Sequence, residues 1–296
     1  MEPLFRQISI IGTGLIGGSL GLTIHKKKLA SKVVGIGRNP DKLDKALKRK
    51  SVDEVTTEYS QGVQEADLVI ICTPVRCIVP IFKEIFPYLP PGCIVTDAGS
   101  TKNSIVQNIQ NYLSQSDKEV YFIGSHPMAG SEKSGIEAAQ EDLYEGSLCI
   151  ITPPAESLYD PQILKRVESF WENIGCRITR MEPRKHDLAV AAISHLPHLV
   201  SAILVNTVSE MDNNSGHLFS IASSGFKDTT RVASGNPNLW SDISLENKEA
   251  LINCLEIFET QLQSFKKEIL SSNPEEISRL FEKAKHYRDA MVNSKK

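Results

Sequence analysis

An apolar run, Gln7 to Ile11, leads straight into Gly12-Thr13-Gly14-Leu15-Ile16-Gly17-Gly18, and a helical stretch continues to about Lys28. No other feature limits the possible folds as strongly. Glycines at this spacing allow a tight turn at Gly12, close approach of a ligand to the backbone at Gly14, and close packing of helix on strand at Gly17. The first N–H groups of the helix have no partner within it and carry the positive end of its dipole. Strand, glycine-rich turn and helix in this order predict a turn that holds a dinucleotide pyrophosphate through Gly12, Gly14, Leu15, Ile16 and Gly17.

The alternation continues to residue 182. The apolar runs KVVGIG, ADLVIICTPV, CIVTDAGS, VYFIGSHP, SLCIITP and CRITRME are separated by helical stretches. This predicts an α/β fold with a mostly parallel, doubly wound sheet. Ligands of such sheets bind beyond the carboxyl ends of the strands. Three polar clusters fall there: Cys72-Thr73-Pro74, Asp97-Ala98-Gly99-Ser100 and the segment around His126. Thr73 is read as a cofactor contact. Ser100 faces the same crevice and also reads as the N-cap of a helix starting near Lys102.

After Pro183 strand patterns give way to long helical ones. The chain therefore reads as a dinucleotide-binding domain over residues 1–182 and an all-helical domain over 183–296. Residues 186–210 are apolar almost all round, the pattern of a helix covered on several sides, and are expected in a subunit interface. Pro197 lacks an N–H and frees a carbonyl near Ile193, so a kink is expected there. Further helices are read over 236–247, 246–270 and 274–293. The last has Asn273 as its cap, Pro274 at its first position and Glu276 at its third.

Three residues outside the glycine turn carry candidate chemistry. His126 precedes Pro127, which restricts its backbone, and Gly124, Gly130 and Gly135 flank it as in a ligand-approaching loop. By itself it suits a structural hydrogen bond as well as proton transfer. The acid that usually binds the ribose 2′-hydroxyl of NAD, about 20 residues beyond the last glycine, is replaced by Gly37, with Arg38 next. A guanidinium there pairs with a 2′-phosphate, which tilts the cofactor reading toward NADP over NAD. Arg231, in SSGFKDTTRVA, is placed either to clamp a carboxylate or to pair with Asp228 one helical turn earlier.

The balance of charge narrows the partners. A formal net charge of −3 gives no electrostatic case for nucleic acid or an acidic membrane surface. The longest apolar run, around Leu68 to Cys72, is too short to span a bilayer. The fold begins close to Met1 with no signal-peptide pattern, and six scattered cysteines without a C-x-x-C pair read as reduced core thiols rather than disulfides or metal ligands. A cytoplasmic enzyme is expected, with no metal.

Five segments together, GTGLIGGS, DAGSTK, GSHPMAGSEKSG, SHLPH and FKDTTRVA, resemble the prephenate/arogenate dehydrogenase family of tyrosine biosynthesis in order and spacing, from residue 5 to about 290. The resemblance implies a Rossmann domain followed by a helical domain that forms a homodimer. It implies oxidative decarboxylation of a cyclohexadienol, prephenate or arogenate, with NAD or NADP. His126 then corresponds to the histidine that accepts the 4-hydroxyl proton, and Ser100 to the serine that hydrogen-bonds the same hydroxyl or its histidine. Arg231 corresponds to the arginine that binds the ring carboxylate, and His195 to the histidine near the substrate side chain. Ser131 stands where a threonine is common. Neither a chorismate mutase segment nor an ACT domain is expected alongside these two domains. Two other readings compete. A β-hydroxyacid dehydrogenase would rely on a helical lysine that the SHLPH stretch lacks. A non-catalytic dinucleotide-binding regulator would need no proton acceptor.

Overall fold

The computed structural model describes residues 3–130, 133–155, 159–213 and 216–293. Strands β1 (Phe5–Ile11), β2 (Ala30–Ile36), β3 (Glu54–Thr56), β4 (Leu68–Ile71), β5 (Cys93–Asp97), β6 (Val120–Pro127), β7 (Leu148–Thr152) and β8 (Arg177–Arg180) form one sheet, in the order β3-β2-β1-β4-β5-β6-β7-β8. The first six run parallel. Strand β7 is antiparallel to β6, and β8 is parallel to β7. Strand β3 escaped the sequence reading because it is a three-residue edge strand with no buried residue.

The strands are apolar on both faces because both are covered. Helices α1 (Leu15–Lys27), α2 (Pro40–Lys48), α3 (Tyr59–Val63), α4 (Val75–Ile85), α5 (Asn103–Leu113) and α6 (Pro161–Ile174) connect them. On one face Ile8, Ile10, Leu68 and Ile70 pack with Leu20 and Ile24 of α1 and with Phe170 and Trp171 of α6. On the other, Ile11, Val69, Ile71 and Val95 pack with Ile78 and Phe82 of α4 and with Ile105 and Ile109 of α5.

Beyond β8 the chain is helical: α7 (Pro183–Val190), α8 (Leu196–Met211), α9 (His217–Ser220), α10 (Ser224–Thr230), α11 (Pro237–Glu246), α12 (Lys248–Leu270) and α13 (Pro274–Asn293). Asn273 caps α13 by accepting from Glu276 N at 3.1 Å. The disturbance expected at Pro197 takes the form of a π-helical turn, Ala191–His195, between α7 and α8. A wider turn absorbs the missing N–H. It leaves His195 only 2% exposed while Ile193 is 68% exposed.

The composite helix Pro183–Met211 is long and apolar enough to cross a membrane by length and composition alone, a property that the short uninterrupted apolar runs conceal. Its His186, Asp187 and His195 are nevertheless buried within the protein. Within α8 only Ser201 is buried, so the expected cover on several sides does not come from the single chain. Two compact units divide the chain, Met1–Lys248 and Glu249–Lys296. In the second, Phe265 and Phe281 join α12 to α13 with ring centroids 5.4 Å apart.

The glycine turn yields a stability test. A Cβ at Gly17 would lie 2.1 Å from Gly12 O, whereas one at Gly14 would have nothing within 4 Å. Gly17→Ala is expected to lower stability by roughly 1–3 kcal/mol through overpacking, and Gly14→Ala by no more than about 0.5 kcal/mol. Thermal melting without nucleotide checks the pair, and equal melting temperatures would contradict the packing described.

Candidate active site

His126 does not lie in a loop. It sits in β6, opposite Ile150 of β7, and Pro127 pairs with Cys149. The antiparallel partner extends the ladder through the polar end of the VYFIGSHP run. Pro127 demands extended backbone before it, which a strand supplies. The ring is 8% exposed, and its Nδ1 lies 2.9 Å from Nε2 of His186. His186 is wholly buried on α7, and its Nδ1 lies 2.7 Å from Oδ1 of Asp187.

Asp187 ties these rings to the sheet. Its carboxylate accepts from the backbone N–H groups of Lys102 at 2.8 Å and Asn103 at 2.9 Å. These are the unpaired donors that open α5, whose N-cap, Lys102, makes no side-chain cap. The capping role considered for Ser100 is thus filled by Asp187. Ser100 remains half-buried, just past the carboxyl end of β5. The Lys102 ammonium, fully buried, pairs with the Asp97 carboxylate and donates to Ser125 O at 3.0 Å. Asp97 in turn accepts from Ser125 N at 3.2 Å and Gly99 N at 2.9 Å. The residue preceding His126 is therefore anchored from β5 and α5.

A second group adjoins the first. The Asn247 side-chain N–H₂ donates to Asp187 O at 2.8 Å and faces His195 Nδ1 at 3.2 Å. With the amide nitrogen fixed toward two acceptors, His195 Nδ1 holds a lone pair and Nε2 carries the hydrogen. That Nε2 is buried with no hydrogen-bond partner among the described residues. Trp240 packs edge-on against His195 and stacks on His198, 3.6 Å between centroids. Arg231, exposed at the end of α10, bears on His198 electrostatically. Ser131 lies outside the described residues.

The glycine turn has the geometry its motif calls for. Gly12 adopts φ 96°, in the left-handed region, and its N–H donates to Ile36 O at 2.8 Å. Helix α1 opens with no side-chain cap and no acid in its first turn. Thr73 Oγ1, beside Gly12, is buried without a partner among the described residues. The carbonyl of Ile16 accepts from Tyr144 Oη at 2.6 Å, and Gly130 lies alongside the Ile16 side chain. The turn and the segment after His126 are thus neighbours. Open backbone at Gly14, free N–H groups and an unused hydroxyl fit a dinucleotide phosphate. Arg38 is exposed past the end of β2, next to Asn39, which caps α2.

Burial and neighbouring positive charge keep the histidines neutral. His126 is held well below the ordinary imidazole range, chiefly by burial, then by His186, Lys102 and His195. Burial also lowers His186, against the opposing effect of its hydrogen bond to the Asp187 carboxylate. His195 is lowered to about 4 by burial. A neutral imidazole keeps a lone pair with which to accept a proton. His186, Asp187, Lys102, Asn247 and Trp240 were not singled out from sequence. A polar His-Asp pair opening an otherwise apolar helix was the available signal for two of them.

Fold and site together define a dinucleotide-dependent dehydrogenase. The nucleotide-binding domain of prephenate dehydrogenase matches residues 20–180, and the dimerization domain of prephenate dehydrogenase matches residues 182–283. The chain is 33% identical over 292 residues to a prephenate dehydrogenase of Bacillus subtilis, covering 98% of this chain and 77% of that protein. The structure of A. aeolicus prephenate dehydrogenase, in complex with hydroxyphenyl propionate and NAD+, superposes with a TM-score of 0.89 at 35% identity, covering 97% of this chain and 98% of that one. Synechocystis arogenate dehydrogenase superposes with a TM-score of 0.80 at 33% identity, over 96% of this chain and 99% of that one. The chain belongs to the prephenate dehydrogenase family.

The lowered histidines set a pH window for stability. Between pH 6.5 and about 4 the unfolded chain protonates His195 while the folded chain does not. Stability therefore falls as pH drops through that window, by about 3 kcal/mol from His195 alone. His126, His186 and His198 act in the same direction. Urea unfolding at successive pH values should show the loss in wild type and a shallower slope in His195→Asn. Identical slopes would contradict the assignment.

Proposed function

We propose that the chain catalyses oxidative decarboxylation of prephenate to 4-hydroxyphenylpyruvate, with a nicotinamide dinucleotide as oxidant. The observation that carries this reading is the buried His126, held neutral at the carboxyl end of β6 four residues before Gly130, which lies alongside Ile16 of the glycine-rich turn. A bound nicotinamide dinucleotide would supply the hydride acceptor for ring C4. His126 accepts the proton of the 4-hydroxyl, and Ser100 hydrogen-bonds the same hydroxyl or its histidine. Arg231 pairs with the ring carboxylate until it leaves as CO₂, and Ser131 supplies a further hydroxyl to the substrate. Gly12, Gly14, Leu15, Ile16, Gly17 and Thr73 hold the dinucleotide.

His195 separates the two candidate substrates. Its Nε2–H is a buried donor without an acceptor among the described residues. The side-chain keto oxygen of prephenate would satisfy it, whereas the ammonium that replaces that oxygen in arogenate would bring a second donor. This favours prephenate. The exposed Arg38, next to Gly37 where the ribose-binding acid would otherwise stand, supports a lean toward NADP over NAD. We place the functional division near residue 182, and assign the exposed apolar residues Ile203 and Met211 of α8 and Ile257 and Leu262 of α12 to a homodimer interface. The cytoplasm is the proposed compartment.

Steady-state kinetics with prephenate and arogenate, each with NAD and NADP, test the reading, and absence of turnover in all four combinations would end it. In His126→Asn, kcat should fall about 10²–10⁴-fold with the fold intact. Turnover close to wild type would remove His126 from the reaction. In Arg231→Ala, substrate KM should rise steeply while cofactor KM holds, a loss of roughly 2–5 kcal/mol of binding. Unchanged substrate KM would return Arg231 to a structural role.

A further inference from the structure

The chain of contacts behind His126 has a direction. Asp187 accepts two backbone N–H groups and faces His186 Nδ1. Three donors converging on one carboxylate require the His186 hydrogen to sit on Nδ1. A neutral His186 then has only a lone pair on Nε2, the atom 2.9 Å from His126 Nδ1. His126 must donate there, and its own lone pair is left on Nε2. The tautomer of the proton acceptor is thus dictated by a carboxylate two rings away.

We propose that His186 and Asp187 are positioning residues of the reaction: they hold His126 in the tautomer with its lone pair on Nε2 and take up the positive charge when that atom is protonated. This rests on the proton-acceptor reading of His126 given above. In the step itself the substrate hydroxyl gives its proton to His126 Nε2, and the His126 Nδ1 proton passes to His186 Nε2. One proton enters and one moves on, so His126 ends neutral and His186 ends as an imidazolium against the Asp187 carboxylate. The charge comes to rest beside an anion. The other charged and titratable groups facing this pair are Lys102 from α5, Asp97 from β5 and His195 from the π turn. Lys102 is already engaged by Asp97, so Asp187 is the carboxylate left for the histidines.

The test compares wild type, His186→Gln and His186→Phe with prephenate and NAD. Glutamine places an acceptor where Nε2 stood, whereas phenylalanine fills the space without one. The expected result is a kcat loss of about 10²-fold in His186→Phe, partial recovery in His186→Gln, and substrate KM within about threefold of wild type in both. Equal kcat in the two variants, at any level, overturns the proposal. Asp187→Asn gives a second readout should the phenylalanine variant not fold. Loss of the carboxylate should move the acidic limb of kcat/KM to lower pH by about one unit, and an unmoved limb overturns the proposal. Failure of wild type to turn over prephenate would instead sink the functional reading on which the proposal rests.

Discussion

The Asp187 carboxylate is the contact on which the candidate site depends. It caps the start of α5 through Lys102 and Asn103, and it orients His186, which meets His126. One side chain from the first helix after the sheet thus fixes the register between that helix and the carboxyl end of β5. A second tie comes from Asn247, which binds the Asp187 carbonyl and His195 together. Helix α7 and Asn247 are held to the sheet through the same groups that the chemistry uses.

This economy has a cost in stability. Several histidines are packed where protonation is disfavoured, next to a buried ammonium. The Lys102–Asp97 pair has no exposure to solvent, and such a pair adds little net stability even though breaking it is expensive. Its value is local. It pins Ser125, and with it the strand carrying His126, and its cation helps keep His126 unprotonated. Apolar packing on both faces of the sheet supplies the stability that permits this arrangement.

Much of the fold was legible because its determinants are local. The glycine turn needs φ 96° at Gly12 and near-contact at Gly17, and glycine alone meets both demands. Central strands buried on both faces announce themselves as apolar runs, whereas β3 has no such run. The end of β6 was read two ways, as the close of the VYFIGSHP run and as a ligand-approaching loop around His126, and antiparallel pairing with β7 makes it strand through Pro127. Among the candidate residues, His126, His195 and Arg231 were singled out by motif and resemblance. His186 and Asp187 were not, because their roles arise from long-range contacts to residues 60 and 85 positions away. Ser100 was read as a helix cap on proximity alone, and the cap comes from Asp187 instead.

The central claim is a statement about where two hydrogens reside. Nitrogen-15 NMR of the full chain with labelled histidine, at neutral pH, observes this directly. The account predicts His126 and His186 both neutral, each with its hydrogen on Nδ1, and His195 neutral with its hydrogen on Nε2. A His126 resonance of the Nε2–H tautomer, or of an imidazolium at neutral pH, would contradict it.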